Sequence, residues 1–175
     1  EQFETNLFGH IELINLFIPY MRKQNEGRII FNSSVLGLVS LPFSSAYNAT
    51  KFAMEAFAKS LRLELNRTNI KVSLIEPGPI EANFNFNALK NLKRIKINNS
   101  VYKKKYYKMI QYLKNGKDFF TLPASSVAEK VHIALKSKNP KTQYFVTLPT
   151  YVLSYLRILP NPIFENFLSL LDHQR

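Results

Sequence analysis

A chain of 175 residues with 46% apolar side chains carries enough material for one domain with a real core and is too hydrophobic to stay disordered. The absence of cysteine excludes thiol nucleophiles, disulfides and thiolate metal sites, and His10, His132 and His173 lack ligand spacing, which speaks against zinc. The net charge of +12 is concentrated: ten Lys/Arg and no Asp/Glu fall between Ala82 and Lys117, leaving fourteen against twelve elsewhere.

Phe3 to about Lys23 has the spacing of a helix, with Leu7, Ile11, Ile14, Phe17, Ile18 and Met21 recurring along it. Asn25-Glu26-Gly27 is its stop, with Gly27 suited to a left-handed cap. Arg28–Asn32 is an apolar run of strand length, of the kind buried on both faces. Gly37 and Pro42 then punctuate a loop. A second helix runs from about Ser45 to Asn66, with Ala49, Phe52, Ala53, Ala56, Phe57 and Leu61 expected on its packed face. Lys71–Ile75 is the next strand, ended by Pro77-Gly78, and strand, long helix, strand makes a βαβ unit with a parallel pair.

Ile80 to Leu122 is a long basic insertion, rich in Asn and aromatics and helical around Ser100 to Leu113. Ser126-x-x-Glu129 reads as a capping box opening a helix that runs to about Ser137. Gln143–Thr147 is a third strand, and the apolar tail from Tyr151 to Leu171, broken at Pro160 and Pro162, makes two short helices. Three parallel strands with helices between them describe an α/β chain, the carboxyl-terminal part of a doubly wound sheet. The five glycines, at 9, 27, 37, 78 and 116, form no Gly-rich strand-to-helix turn able to receive a pyrophosphate. The chain also opens without methionine, and we read it as a fragment whose front half lies upstream. Strand 28–32 is then an unpaired apolar edge, for which poor solubility or self-association of these residues alone is expected.

The chemistry is concentrated between Ser34 and Lys51. A helix puts Tyr47 and Lys51, at i and i+4, on one face, where an ammonium favours the phenolate and lowers the tyrosine pKa. Ser34 follows a strand's carboxyl end, where open α/β sheets place ligands. Neighbouring Ser33 competes for the serine role, and the distance in sequence to Tyr47 favours Ser34. Each residue has a plainer reading: a serine after a strand as a cap, Asn6 as a surface or capping residue, Tyr47 and Lys51 as an exposed pair.

Strand 28–32, then Ser33-Ser34, a punctuated loop, and Ser45-Ala46-Tyr47-Asn48-Ala49-Thr50-Lys51-Phe52-Ala53 together resemble the short-chain dehydrogenase/reductase family. Asn6 in Asn6-Leu7-Phe8-Gly9 and the turn Pro77-Gly78-Pro79-Ile80 fit the same family at the expected places. The resemblance covers nearly the whole chain and implies a partial Rossmann-type domain over 1–175, catalytic and substrate-binding, with 80–122 as a substrate lid. It implies hydride transfer between a nicotinamide cofactor, NAD or NADP, and an alcohol or carbonyl carbon. Tyr47 would exchange the proton with the substrate oxygen, Ser34 would steady that oxygen, and Lys51 would lower the Tyr47 pKa and bind the ribose. Asn6 would hold, through its backbone, a water linking Lys51 to solvent. Pro77 and Gly78 would wrap the nicotinamide, and Ile80 would meet its carboxamide through a backbone amide. The family usually has Thr shortly after this turn; Ile80-Glu81-Ala82-Asn83 has none, so that contact is lost or passes to Asn83 and weaker cofactor binding is expected.

The lid aromatics suggest a small hydrophobic alcohol or ketone, and the resemblance implies a homodimer or homotetramer built on the first two helices. A cytoplasmic location is expected, since no apolar run reaches the roughly 18 residues that span a bilayer and no secretory leader opens the chain. The basic segment reads first as a solvated face. Beyond that it offers attraction for an anionic surface, with peripheral membrane contact through the tail, or, last, for nucleic acid. The alternative function is a non-catalytic binding or scaffold protein of the same shape that has lost cofactor binding.

Overall fold

The computed structural model describes residues 1–92, 96–115 and 119–173. The first helical run is not continuous. Glu4–Phe8 is a turn of π-helix, closed by the Gly9 amide donating to the Glu4 carbonyl, and α1 (Gly9–Gln24) follows it. Asn25 ends α1 in the left-handed conformation at φ 51, so the residue that takes the left-handed cap is Asn25 rather than Gly27. Asparagine tolerates that region through its short polar side chain. Gly27 instead opens β1 (Gly27–Asn32), where an added Cβ would meet the Met21 side chain at 2.6 Å.

A 3-10 turn (Val35–Gly37) leads to α2 (Ser45–Glu64), then β2 (Ile70–Glu76). Strands β1 and β2 pair in parallel from Gly27 opposite Ile70 to Asn32 opposite Ile75. After β3 (Ile80–Glu81) come α3 (Phe84–Leu92), α4 (Lys103–Asn115) and β4 (Leu122–Pro123). Helix α5 (Ala124–Lys136) begins directly after Pro123, so Ser126 and Glu129 lie inside it and no side chain caps it: the capping-box start is corrected by three residues, from an N-cap at Ser126 to one at Pro123. Strand β5 (Gln143–Phe145) then pairs in parallel with β2, giving the order β1-β2-β5. Thr147 precedes α6 (Leu148–Leu156), and α7 (Asn161–His173) ends the description.

Helices lie on both faces of this sheet. On one side Ile29, Phe31, Val72 and Leu74 pack against Met54, Ala58 and Leu61 of α2, with Ile11, Ile14 and Ile18 of α1 beside them. On the other, Ile75 and Tyr144 pack against Ala134, Val127 and Val131 of α5. Leu74 is fully buried at the centre of β2, and burying one such side chain is worth about 2–3 kcal/mol. Helices α6 and α7 close a separate cluster, Leu38, Val39, Phe164 and Leu168, over the loop after β1.

The packed face of α2 differs from the one its apolar residues suggest. Phe52 is 41% exposed and Ala49 and Ala56 face outward, while Asn48, Thr50, Lys51 and Glu55 are buried. The helix turns a polar seam inward at its amino-terminal half and an apolar one, Met54, Ala58 and Leu61, further along. Among the described residues no helix is long and apolar enough to cross a membrane.

Candidate active site

The carboxyl ends of β1 and β2 lie side by side, and the loops leaving them are tied together where the Val35 amide donates to the Pro77 carbonyl at 2.8 Å. Ser34 caps the 3-10 turn, its Oγ accepting from the Leu36 amide at 3.1 Å. That bond uses an acceptor site of the hydroxyl and leaves its hydrogen free to donate. The Ser34 hydroxyl lies close enough to the Tyr47 phenol to favour its ionised form, so the two residues singled out in the sequence do meet. Ser33 points elsewhere: its buried Oγ faces Gly37, where an added Cβ would stand 2.9 Å from it. Of the two adjacent serines, Ser34 is the one beside the phenol.

Lys51 lies one turn after Tyr47, with Nζ 5.6 Å from the centre of the tyrosine ring. Its ammonium donates to the Asn32 carbonyl at 2.8 Å, anchoring the side chain to the last residue of β1. Only 8% of Lys51 is exposed, and this burial lowers its pKa to about 8, with Glu55 acting in the opposite direction. The expected acidification of Tyr47 is not found. Burial raises its pKa, and the Ser34 hydroxyl offsets this only in part. The reason is geometric: Phe84 lies against the phenol at 5.5 Å between ring centres, excluding water, while the lysine donates to a carbonyl.

Asn6 sits in the π-helical turn, and its Nδ2 donates to Thr50 Oγ1 at 3.2 Å. Thr50 in turn donates to the Tyr47 carbonyl at 2.8 Å, so Asn6 ties the first helix to the turn that carries Tyr47 and Lys51. The Asn6 carbonyl, expected to hold a water, lies 2.9 Å from His10 Nδ1, which donates to it when that nitrogen carries the proton. One lone pair of the carbonyl remains after that bond. His10 follows Asn6 by four residues, a helical spacing that was the signal available in the sequence.

The turn after β2 is held from behind. A Cβ on Gly78 would collide with Thr147 Oγ1 and lie 2.9 Å from Thr150 Oγ1, so only glycine lets α6 approach this closely. Pro77 accepts from Val35, and Ile80 enters β3, paired with Leu122 of β4. The long basic insertion starts there. Phe84 of α3 lies against Tyr47, and Tyr102, just before α4, and Tyr106 within it place their rings 5.7 and 5.1 Å from that of Phe43. Part of the basic run, Lys93, Arg94 and Lys117, lies outside the described residues. A cavity of about 570 Å³ opens next to the site, between Leu41, Phe43, Ala49 and Phe52 on one side and Leu168 of α7 on the other.

Sequence reasoning missed a second set of buried groups. Glu55, 2% exposed and one helical turn past Lys51, and Glu76, fully buried, lie on either side of the Gln143 amide. The signals were present: Glu55 is four residues past Lys51 on the same helix, and Glu76 directly follows the apolar pair Leu74-Ile75 at a strand's end.

Comparison with known proteins was informative over the whole chain. The family model described as short chain dehydrogenase matches residues 1–93. The Escherichia coli K12 protein called uncharacterized oxidoreductase YbbO is 38% identical over 170 residues, covering 97% of this chain and 58% of that protein. Human 17-beta-hydroxysteroid dehydrogenase type 1 is 29% identical over 174 residues, covering 98% of this chain and 52% of the human protein. A crystal structure of a short chain dehydrogenase/reductase from Burkholderia phymatum in complex with NAD superposes with a TM-score of 0.68 at 23% identity, covering 87% of this chain and 54% of that one. The chain therefore spans little more than half the length of these proteins. With the family model matched over more than half of its residues and an α/β fold of parallel strands between helices, the chain belongs to the short-chain dehydrogenase family.

Proposed function

We propose that these 175 residues are the catalytic and substrate-binding portion of an NAD(P)-dependent oxidoreductase that interconverts a hydrophobic alcohol and its carbonyl compound. The observation that carries this reading is the convergence of Ser34, Tyr47 and Lys51 at the carboxyl end of β1. The donor set suits the nicotinamide–ribose end of the cofactor. One of the three ammonium hydrogens of Lys51 is committed to the Asn32 carbonyl, and sugar hydroxyls suit the others. Pro77, Gly78 and Ile80 supply the backbone beside it, with no preference between NAD and NADP. When bound, the nicotinamide supplies or accepts the hydride.

The chain's own residues handle the proton. Tyr47 Oη passes it to the substrate oxygen in reduction and takes it back in oxidation, while the Ser34 hydroxyl steadies the charge growing on that oxygen. A charged substrate intermediate draws the proton from a phenol whose own ionised form is disfavoured by burial. The exposed Phe84 ring, set against the phenol, and the Phe43–Tyr106 contact line the approach and favour an apolar substrate, with 80–122 acting as the lid. Leu13, Leu16, Phe17 and Tyr20 leave an apolar stripe exposed on α1, which supports a homodimer or homotetramer.

In the full-length parent polypeptide, Tyr47→Phe should lower kcat by roughly 10²–10⁴-fold while the far-UV circular dichroism stays unchanged. A Phe variant that keeps its rate overturns the assignment. A second reading, a scaffold of the same shape without cofactor, draws support from Ala82 at the position where the family usually has Thr. Titration of the parent with reduced nicotinamide dinucleotide, followed by its fluorescence, separates the two: absence of binding favours the scaffold.

A further inference from the structure

Helix α2 carries Tyr47, Lys51 and Glu55 at successive turns, and the last of these leads into the interior. Glu55 and Glu76 have almost no access to solvent. Gln143 of β5 spans them with one amide nitrogen, 2.6 Å from Glu76 Oε1 and 3.5 Å from Glu55 Oε2. Glu55 Oε1 and Glu76 Oε2 are buried with no hydrogen-bond partner among the described residues. Two buried carboxyls that share one amide nitrogen oppose each other's ionisation, and a proton held by the pair relieves that repulsion.

We propose that Glu55 and Glu76 form a proton-sharing acid pair that acts as the buried counter-charge, and so as the positioning group, for Lys51. This rests on the oxidoreductase reading for its purpose and not for its existence. A buried ammonium whose described protein acceptor is a neutral carbonyl requires a negative charge close by. A pair holding one proton supplies a single charge. Full ionisation would set two carboxylates against each other, and full protonation would leave Lys51 unmatched.

The surrounding groups are consistent with that count. From α2, Lys59 reaches Glu55 Oε2 at 3.8 Å but is half exposed, so it faces the pair from solvent. Arg62 spends its guanidinium on the Val72 and Thr142 carbonyls at 3.3 and 3.2 Å, and acts on both acids through charge alone. Arg157, just past α6, favours the ionised form of Glu76, and the Gln143 amide does the same from β5. From the end of β1, Ser33 contributes a neutral hydroxyl on the Glu55 side of Gly37, where an added Cβ would meet Ser33 Oγ at 2.9 Å and Glu55 Cγ at 3.1 Å. Burial and the Glu55 charge push Glu76 up to about 8, which favours a proton held within the pair at neutral pH.

The test is an NMR titration of the Lys51 ammonium in the full-length parent, with the signal assigned by its loss in Lys51→Met. Glu76→Gln keeps one charge on Glu55 and should leave the Lys51 midpoint within a few tenths of a pH unit. Glu55→Gln moves the charge to the more distant partner and should lower it by roughly half a unit or more. The double variant should lower it by about one unit or more, a tenfold loss of ammonium. Should Glu55→Gln unfold the protein, Glu55→Asp, which keeps the charge on a shorter arm, serves in its place and should lower the midpoint less. A Lys51 midpoint that ignores Glu55→Gln and the double variant alike overturns the proposal. Loss of turnover in the parent itself would instead overturn the oxidoreductase reading, because this titration does not depend on activity.

Discussion

Two buried ionisable groups of opposite kind give this protein an unusual dependence of stability on pH. Glu76 has its pKa raised from 4.5 to about 8 in the folded state, so between those values the native protein binds a proton that the unfolded chain has released. Stability then falls as pH rises, and is fully present only below the unfolded value. Lys51 is lowered from 10.5 to about 8, so between about 8 and 10.5 the unfolded chain holds the extra proton and stability rises with pH. The two slopes meet in a minimum near pH 8. At about 1.4 kcal/mol per unit, the acid arm reaches at most roughly 4–5 kcal/mol and the alkaline arm about 3 kcal/mol. Differences between variant and wild type isolate each arm from everything else in the parent protein. Unfolding in urea, followed by circular dichroism at pH 5, 8 and 10, should show Glu76→Gln gaining on wild type by several kcal/mol from pH 5 to 8. Lys51→Met should lose about 2–3 kcal/mol of its relative stability from pH 8 to 10. The window stops at 10 because Tyr47, with its raised pKa, adds an opposite slope above that. A Glu76→Gln difference that is flat from pH 5 to 8 would refute the reasoning for the acid arm, and a flat Lys51→Met difference that for the alkaline arm.

Ala82→Thr restores a hydroxyl after the Pro77–Ile80 turn, and should tighten binding of the nicotinamide dinucleotide by the value of one hydrogen bond, about 0.5–1.5 kcal/mol, read by fluorescence titration. Gly78→Ala drives a methyl group into Thr147 and Thr150 and should cost about 1–3 kcal/mol in urea unfolding, with part of the loss recovered by adding Thr147→Ala. Phe84→Ala uncovers the phenol of Tyr47 at a cost of about 1 kcal/mol in stability and should lower the Tyr47 midpoint, followed by ¹³C NMR of the tyrosine ring carbons. A midpoint that stays put would show that Phe84 is not what keeps water from Tyr47.

The strands were legible because each is a short apolar run between punctuating residues, and the parallel order followed from the helices between them. Tyr47, Ser34 and Lys51 were legible as a group because helical spacing and a strand's end place them together. What misled was the assumption that a helix buries its apolar face. Helix α2 buries Asn48, Thr50, Lys51 and Glu55 and turns Phe52 outward, so hydrophobic periodicity pointed to the wrong side along its first turns. The left-handed cap at Asn25 and the start of α5 at Ala124 were lost to stronger motifs nearby, a glycine and a capping box. The pairing of β3 with β4 spans two residues from each strand across some forty intervening residues, and no local pattern encodes it. Nor could spacing alone give the sign of the Tyr47 shift. It depends on which wins, an ammonium at 5.6 Å or the loss of water under Phe84, and that requires coordinates.

The sheet separates what holds the fold from what the site demands. Toward the amino ends of β1 and β2, Ile70 and Val72 meet Leu61 and Leu65 in a dry, apolar layer. Toward the carboxyl ends the buried residues become polar: Ser33, Lys51, Glu55, Glu76, Thr147 and Thr150. A six-residue strand rises about 3.3 Å per residue, so these layers are on the order of 15 Å apart. Each buried polar group at the carboxyl end costs free energy unless partnered, and the partners present, Gln143, the Asn32 carbonyl and the Thr147–Thr150 hydroxyl pair, are few and shared. Exchanging any one of them therefore leaves another group buried without a bond, whereas the apolar layer tolerates exchange of one aliphatic side chain for another of similar volume. The polar layer can exist in a marginally stable protein because it is confined to one end of a ladder whose other end carries the burial.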